Sequence, residues 1–150
     1  MALLNYTTKI AAERTAAEIQ GLLGKAGASA IMLEYGEGLP TALRFRIATG
    51  FGPQAFMLPI SVEPVYKVLL RQSTYGSKNK IPRSYATMDQ ARRVAWRIVK
   101  DWIEAQLAII ETEMVSLEQV MLPYMQTDKG VSFYEMVKEQ QLALPQAPVD

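Results

Sequence analysis

The chain contains no cysteine and no histidine in its 150 residues. The first absence excludes a disulfide framework, a thiol nucleophile and a thiolate metal site. The second removes the most frequent general base and the commonest metal ligand. Hydrolases and transferases lean on one of these side chains more often than not, so the composition points away from an enzyme. No cofactor is implied. Long apolar runs are missing as well, since none reaches the 18 residues that a membrane span needs. The first residues also lack the charged and apolar blocks of a secretory signal. A cytoplasmic protein is the expectation.

Charge of either sign is nearly absent in sum, at a formal net +1. The whole molecule therefore exerts no long-range pull on nucleic acid or membrane, and any such attraction is local. What the chain has instead is apolar content. With 49% hydrophobic residues it can bury one core as a single domain. The expected divisions are an α/β part over residues 1–72, a basic loop over 73–86, a helical part over 87–143 and a loose tail over 144–150.

The hydrophobic period changes along the chain. Residues 4–10 are β-branched and aromatic and read as a short strand. Thr15 and Glu18 have the spacing of a capping box, which starts a helix over 16–26 with Ala16, Ile19, Leu23 and Ala26 on one stripe. From Ser29 the period is two. Leu43, Phe45 and Ile47 alternate with Arg44 and Arg46 over 42–48, the clearest strand of the chain. Gly50-Phe51-Gly52-Pro53 is turn chemistry, and a further strand follows over 54–60. Ser61 and Pro64 open a helix to about Gln72. The polar stretch 73–86 is long enough for a functional loop.

Thr87 and Gln90 form a second capping-box spacing, and from there apolar residues recur at three and four as far as Pro123. This reads as one helix of about 34 residues, roughly 50 Å long. Its apolar positions fall on two stripes, one of them Ile103, Leu107, Ile110, Met114, Leu117 and Met121. That band is wide for one partner, so this second stripe is a candidate oligomer interface. A shorter helix is expected over 132–142. The fold class is α+β: a small antiparallel sheet of about three to four strands in βαβββα order, packed with a long C-terminal helix and a shorter final helix.

Charge is unevenly placed. Residues 64–100 hold nine Lys or Arg and one acid, whereas 101–150 hold nine acids and two lysines. Arg92, Arg93 and Arg97 thus stand near a helix start whose backbone N–H groups are already positive, and Lys78, Lys80 and Arg83 approach from the loop. Basic side chains beside free N–H donors make a phosphate site, with Tyr75, Tyr85 and Trp96 near enough in sequence to stack on bases. The same arginines would be equally satisfied by Asp89, by Asp101 or by the acidic half of a neighbouring molecule, with the aromatics in the core. Arg44 and Arg46 are a second phosphate candidate on an open sheet face, where strand charges also serve solubility. Glu111, Glu113 and Glu118 read as a solvated helix face; no metal site is expected.

At Asn5-Tyr6-Thr7-Thr8-Lys9, and across residues 91–124 (ARRVAWRIVKDWIEAQLAIIETEMVSLEQVMLPY), the chain resembles a family of small proteins carried by phages and other mobile elements. The resemblance implies a setting rather than an activity: nucleic-acid accessory factors, antagonists of host defence and assembly parts. Three expectations follow. The first is a non-enzymatic accessory protein that binds DNA or RNA. The second is an antagonist of a host defence system, either a protein inhibitor such as an anti-CRISPR, binding a host protein through acidic residues 104–118, or a sponge for a nucleotide signal. The third is a structural homo-oligomer. No membrane partner is expected.

Overall fold

The fold, taken from a computed structural model, describes residues 1–74, 81–140 and 148. Helix α1 spans Ala12–Lys25, and strands β1 Ala30–Gly36, β2 Leu39–Thr49 and β3 Gly52–Met57 follow. Helices α2 Val62–Ser73, α3 Met88–Glu111, α4 Leu117–Met121 and α5 Phe133–Glu139 complete the element order, with 3-10 turns at Arg83–Tyr85 and Leu122–Tyr124. The class is α+β, and the sheet is an antiparallel meander in the order β1-β2-β3. Glu37 (φ 52°) and Gly38 (φ 80°) make the first hairpin turn with two successive positive φ values, the arrangement whose twist suits paired strands.

The sheet has one covered face and one open face. On the covered side, Leu43, Phe45 and Ile47 of β2 and Phe56 of β3 meet Ala16, Ile19 and Leu23 of α1, Trp96, Val99 and Ile103 of α3, and Met121 of α4. Phe45 and Phe56 stack with ring centres 5.4 Å apart. Burying one such large side chain contributes about 1.5–3 kcal/mol, so this layer dominates stability. A smaller cluster of Leu69, Ile81 and Ala91 joins α2 to the start of α3 and gathers Leu3, Tyr6 and Tyr85 around it.

Three expectations change. Residues 4–10 are not a strand: Tyr6 N donates to Leu3 O and Thr8 N to Asn5 O, and Asn5 has φ 65°. A strand needs a neighbour to satisfy its backbone. This segment finds side chains instead, with Leu3 N on Gln72 Oε1, Asn5 Nδ2 on Asp101 Oδ2, and Tyr6 O and Thr8 O on Gln90 Nε2. The element order therefore begins with a helix, and the sheet has three strands rather than four. Thr15 is also not a cap. It lies fully buried inside α1, whose N-cap is Ala11, a residue with no side-chain acceptor.

The long helix is interrupted. Glu113, at φ 65°, adopts the left-handed conformation that ends α3, and its N–H bonds Ile110 O at 2.9 Å. The chain restarts at Ser116, whose side chain and that of Gln119 cap each other's backbone in a full capping box. The break turns the second apolar stripe inward. Ile103 and Met121 are 1% exposed within this chain, and Leu107 and Leu117 pack partly buried on the same core. Ile110 is half-buried and Met114 is 69% exposed, so the stripe does not form a continuous interface.

Glu118 of α4 reaches back across the sheet end and accepts from Gly50 N in the β2–β3 turn. That hydrogen bond, with those from its own amide and from Ser116, lowers the Glu118 pKa below its ordinary value. Because the folded-state pKa is the lowered one, this contact stabilises the fold above the ordinary carboxylate pKa and is lost as pH falls through the lowered value. The Gly50 amide resonance is expected to titrate with a midpoint below that of a free glutamate, and Glu118→Gln to abolish the titration. Trp96→Ala is expected to cost about 3–5 kcal/mol in denaturant unfolding, whereas Met114→Ala stays within about 0.5 kcal/mol.

Candidate nucleic-acid interface

The basic residues divide between two surfaces. The first is the start of α3. Thr87 Oγ1 accepts from Gln90 N at 3.1 Å and caps the helix. The Gln90 side chain does not return to its own cap; it is buried, donates to Tyr6 O and Thr8 O, and accepts from Arg93 Nε at 2.9 Å. Arg93 is held in orientation by a neutral group, and among the described residues no carboxylate lies within 4.0 Å of it. Arg92 Nη1 lies 3.4 Å from Asp89 Oδ1 in an exposed pair three residues apart, a contact worth about 0–1 kcal/mol.

Arg97 is different. It donates to the Glu18 carboxylate and lies 3.4 Å from Thr15 Oγ1, with its side chain 15% exposed. It ties α3 to α1 and is neutralised inside the molecule. Lys100 pairs with Glu104 at 2.8 Å.

A cavity of about 330 Å³ separates the starts of α1 and α3, lined by Ala11, Ala12, Glu13, Leu39, Asp89, Arg92 and Arg93. The uncapped α1 start faces it, but the two arginines meet two carboxylates there, and the charge of the lining is balanced. The stacking residues do not converge on it. Trp96 is 0% exposed, with its Nε1 buried and unpartnered, so it belongs to the core. Tyr85 is half-buried, edge to face with Tyr6 at 5.3 Å. Arg83 is exposed on its 3-10 turn. Tyr75, Lys78 and Lys80 lie outside the described residues.

The second surface is the open face of the sheet. The strand register aligns Met32, Arg44 and Met57 in one row and Ala30, Arg46 and Ala55 in the next. Arg46 is exposed and has no carboxylate within 4.0 Å among the described residues. Arg44 Nε stands 3.1 Å from Glu34 Oε1, close enough for an ion pair but out of line for a hydrogen bond, and that nitrogen is buried without an acceptor. Ala30, Met32, Arg44, Arg46 and Ala55 line a second groove of about 330 Å³ together with Gln126, and no carboxylate belongs to its lining.

Gln126 was not legible as a site residue. It arrives because Gln126 N donates to Ala55 O at 2.8 Å and Met125 bridges Phe56, laying a loop along the outer edge of β3. Among the described residues, no group of three or more Asp or Glu is placed to hold a metal, and no helix is long and apolar enough to cross a membrane. Comparison of the chain with protein-family models, curated proteins and solved structures finds no match in any of the three.

The Arg97–Glu18 contact has a practical consequence for mutagenesis. Arg97→Glu sets a second carboxylate against Glu18 in a half-buried position, and is expected to lower stability by about 1–3 kcal/mol. Arg93→Glu, facing Gln90 and solvent, is expected to unfold at nearly the wild-type denaturant midpoint. Equal midpoints for the two variants would show that the Glu18 contact contributes little.

Proposed function

We propose that this chain is a non-enzymatic nucleic-acid-binding protein and that the open sheet face takes the backbone of a single strand. One observation carries the reading: the groove wall holds two guanidinium groups, Arg44 and Arg46, of which Arg46 has no carboxylate partner among the described residues and Arg44 has only the half-exposed pair with Glu34, worth about 0–1 kcal/mol and open to displacement by a phosphate. The balanced cavity at the α3 start is the weaker anion site of the two. Guanidinium groups match phosphate in a planar fork. Beside them, Ala30, Met32 and Ala55 offer an apolar floor on which unpaired bases can rest. A flat sheet face suits splayed bases better than a duplex groove does. The two rows carry no aromatic ring, so phosphate contacts dominate and stacking adds little.

The expected setting is that of a phage or mobile-element accessory factor acting in the host cytoplasm, in line with the resemblance of residues 5–9 and 91–124. A role as a defence antagonist through the acidic half has less support. Glu118 is engaged with Gly50 and Glu104 with Lys100, which leaves Glu111 and Glu113 as the exposed carboxylates without a described partner.

Two phosphate contacts predict a modest salt dependence. With a slope of about −1.4 in log affinity against log salt, binding to single-stranded DNA or RNA falls about sevenfold between 50 and 200 mM. Arg46→Glu is expected to flatten that slope and weaken binding at every sequence without changing the fold. A flat wild-type response overturns the reading. Loss on Arg93→Glu with Arg46→Glu unaffected moves the ligand to the start of α3.

A further inference from the structure

The two outer edges of the sheet are treated differently. Along β3, the edge that faces away from β2 is covered at its middle, since Ala55 O accepts from Gln126 N at 2.8 Å and Met125 bridges Phe56. Along β1 they are not. Leu58 N donates to Leu43 O at 3.0 Å, so Leu43 turns its backbone groups toward β3, and the alternation of an antiparallel ladder does the same for Phe45. Their register partners on β1 are Leu33 and Ile31. These two residues therefore direct their N–H and C=O groups outward, and among the described residues none of these groups has a partner.

An open edge of this kind is a template for another strand, and natural sheets blunt it with lysine, proline, a covering loop or a bulge. β1 has no lysine and no proline. Its register with β2 shifts between Glu34 and Tyr35, where β2 carries the extra residue Thr41, and this ends the regular stretch after Ala30–Glu34. The midpoint of that stretch is Met32, 53% exposed beside the open edge.

We propose that β1 pairs antiparallel with β1 of a second copy of this chain, about a two-fold axis at Met32, and joins two sheets of three strands into one of six. The regular stretch is self-complementary about that point. Met32 faces Met32 in a pair without hydrogen bonds, where side chains approach most closely. Ile31 and Leu33 each exchange both of their outward backbone bonds with Leu33 and Ile31 of the second copy. Ala30 lies opposite Glu34, a carboxylate already paired within its own chain by Arg44, so no like charges oppose each other across the seam. Nor does the net charge of +1 keep two copies apart. The inference stands independently of the nucleic-acid reading. It also bears on it, because the axis runs perpendicular to the sheet and places both open faces, with Arg44 and Arg46 of each copy, on the same side.

The test is the mass in solution, measured by light scattering over a range of concentrations. A species of twice 16.7 kDa is expected, with the Ile31 and Leu33 amides exchanging more slowly as concentration rises. Met32→Lys and Met32→Glu each place like charges opposite each other and raise the dissociation constant about tenfold, while circular dichroism stays native. An equal mixture of the two variants recovers the dimer. Wild-type protein of single-chain mass at every concentration overturns the proposal, as does a dimer unaffected by both substitutions. A mixture that fails to pair overturns the axis at Met32. The exchange measurement requires no variant: Ile31 and Leu33 amides unprotected within a dimer place its contact elsewhere.

Discussion

The burial of α3 across the inner face of the sheet is the contact on which the remainder depends. Trp96, Val99 and Ile103 supply the helix side of that layer, and Leu43, Phe45 and Phe56 supply the sheet side. Once α3 lies there, α1 packs against it on the larger core and α2 on the smaller cluster around Leu69 and Ala91. The helix is thus occupied on several sides, and its basic residues must find room at its margins. A core of this kind admits little rearrangement, because interiors pack at crystal-like density.

The placement of charge follows from this constraint. Arg92, Arg93 and Arg97 lie beyond the first turn of α3, where the helix dipole has largely faded, so what each needs is a local partner. The fold supplies these in graded ways. Arg97, the most enclosed, meets a carboxylate from α1; Arg92 meets Asp89 one turn back; Arg93 meets only the amide of Gln90. Gln90 in turn holds the carbonyls of Tyr6 and Thr8, so one amide side chain links the orientation of an arginine to the placement of the N-terminal segment. What looks in one dimension like a basic cluster is, in three, partly a set of internal ties. The less conspicuous pair on β2 lines a groove, with Arg44 beside Glu34 and Arg46 beside no described carboxylate.

How much was legible in the sequence depended on whether the information was local. The alternation of Leu43, Phe45 and Ile47 with Arg44 and Arg46 gave both the strand and its two faces, because the strand period alone decides which side chains share a face. Thr87 was legible as a cap for the same reason. The partner of Arg97 was not, since Glu18 lies 79 residues away. Trp96 fell outside the periodic stripes assigned to its helix and so read as a surface residue, yet it is the largest fully buried side chain. The interruption after Glu111 was hidden by apolar spacing that runs unbroken through it, although Ser116 and Gln119 carried the signal of a fresh helix start. The supposed strand over residues 4–10 failed because β-branched composition does not provide a neighbour to pair with.

The loop at Met125 and Gln126 does more than place a side chain at the rim of a groove. By occupying the outer edge of β3, it leaves the sheet with a single direction in which to grow. A sheet open at both edges can add copies without end and become a fibre; one sealed on one side can join only once. The difference between a finite particle and an endless one rests here on a short stretch of main chain laid along a strand.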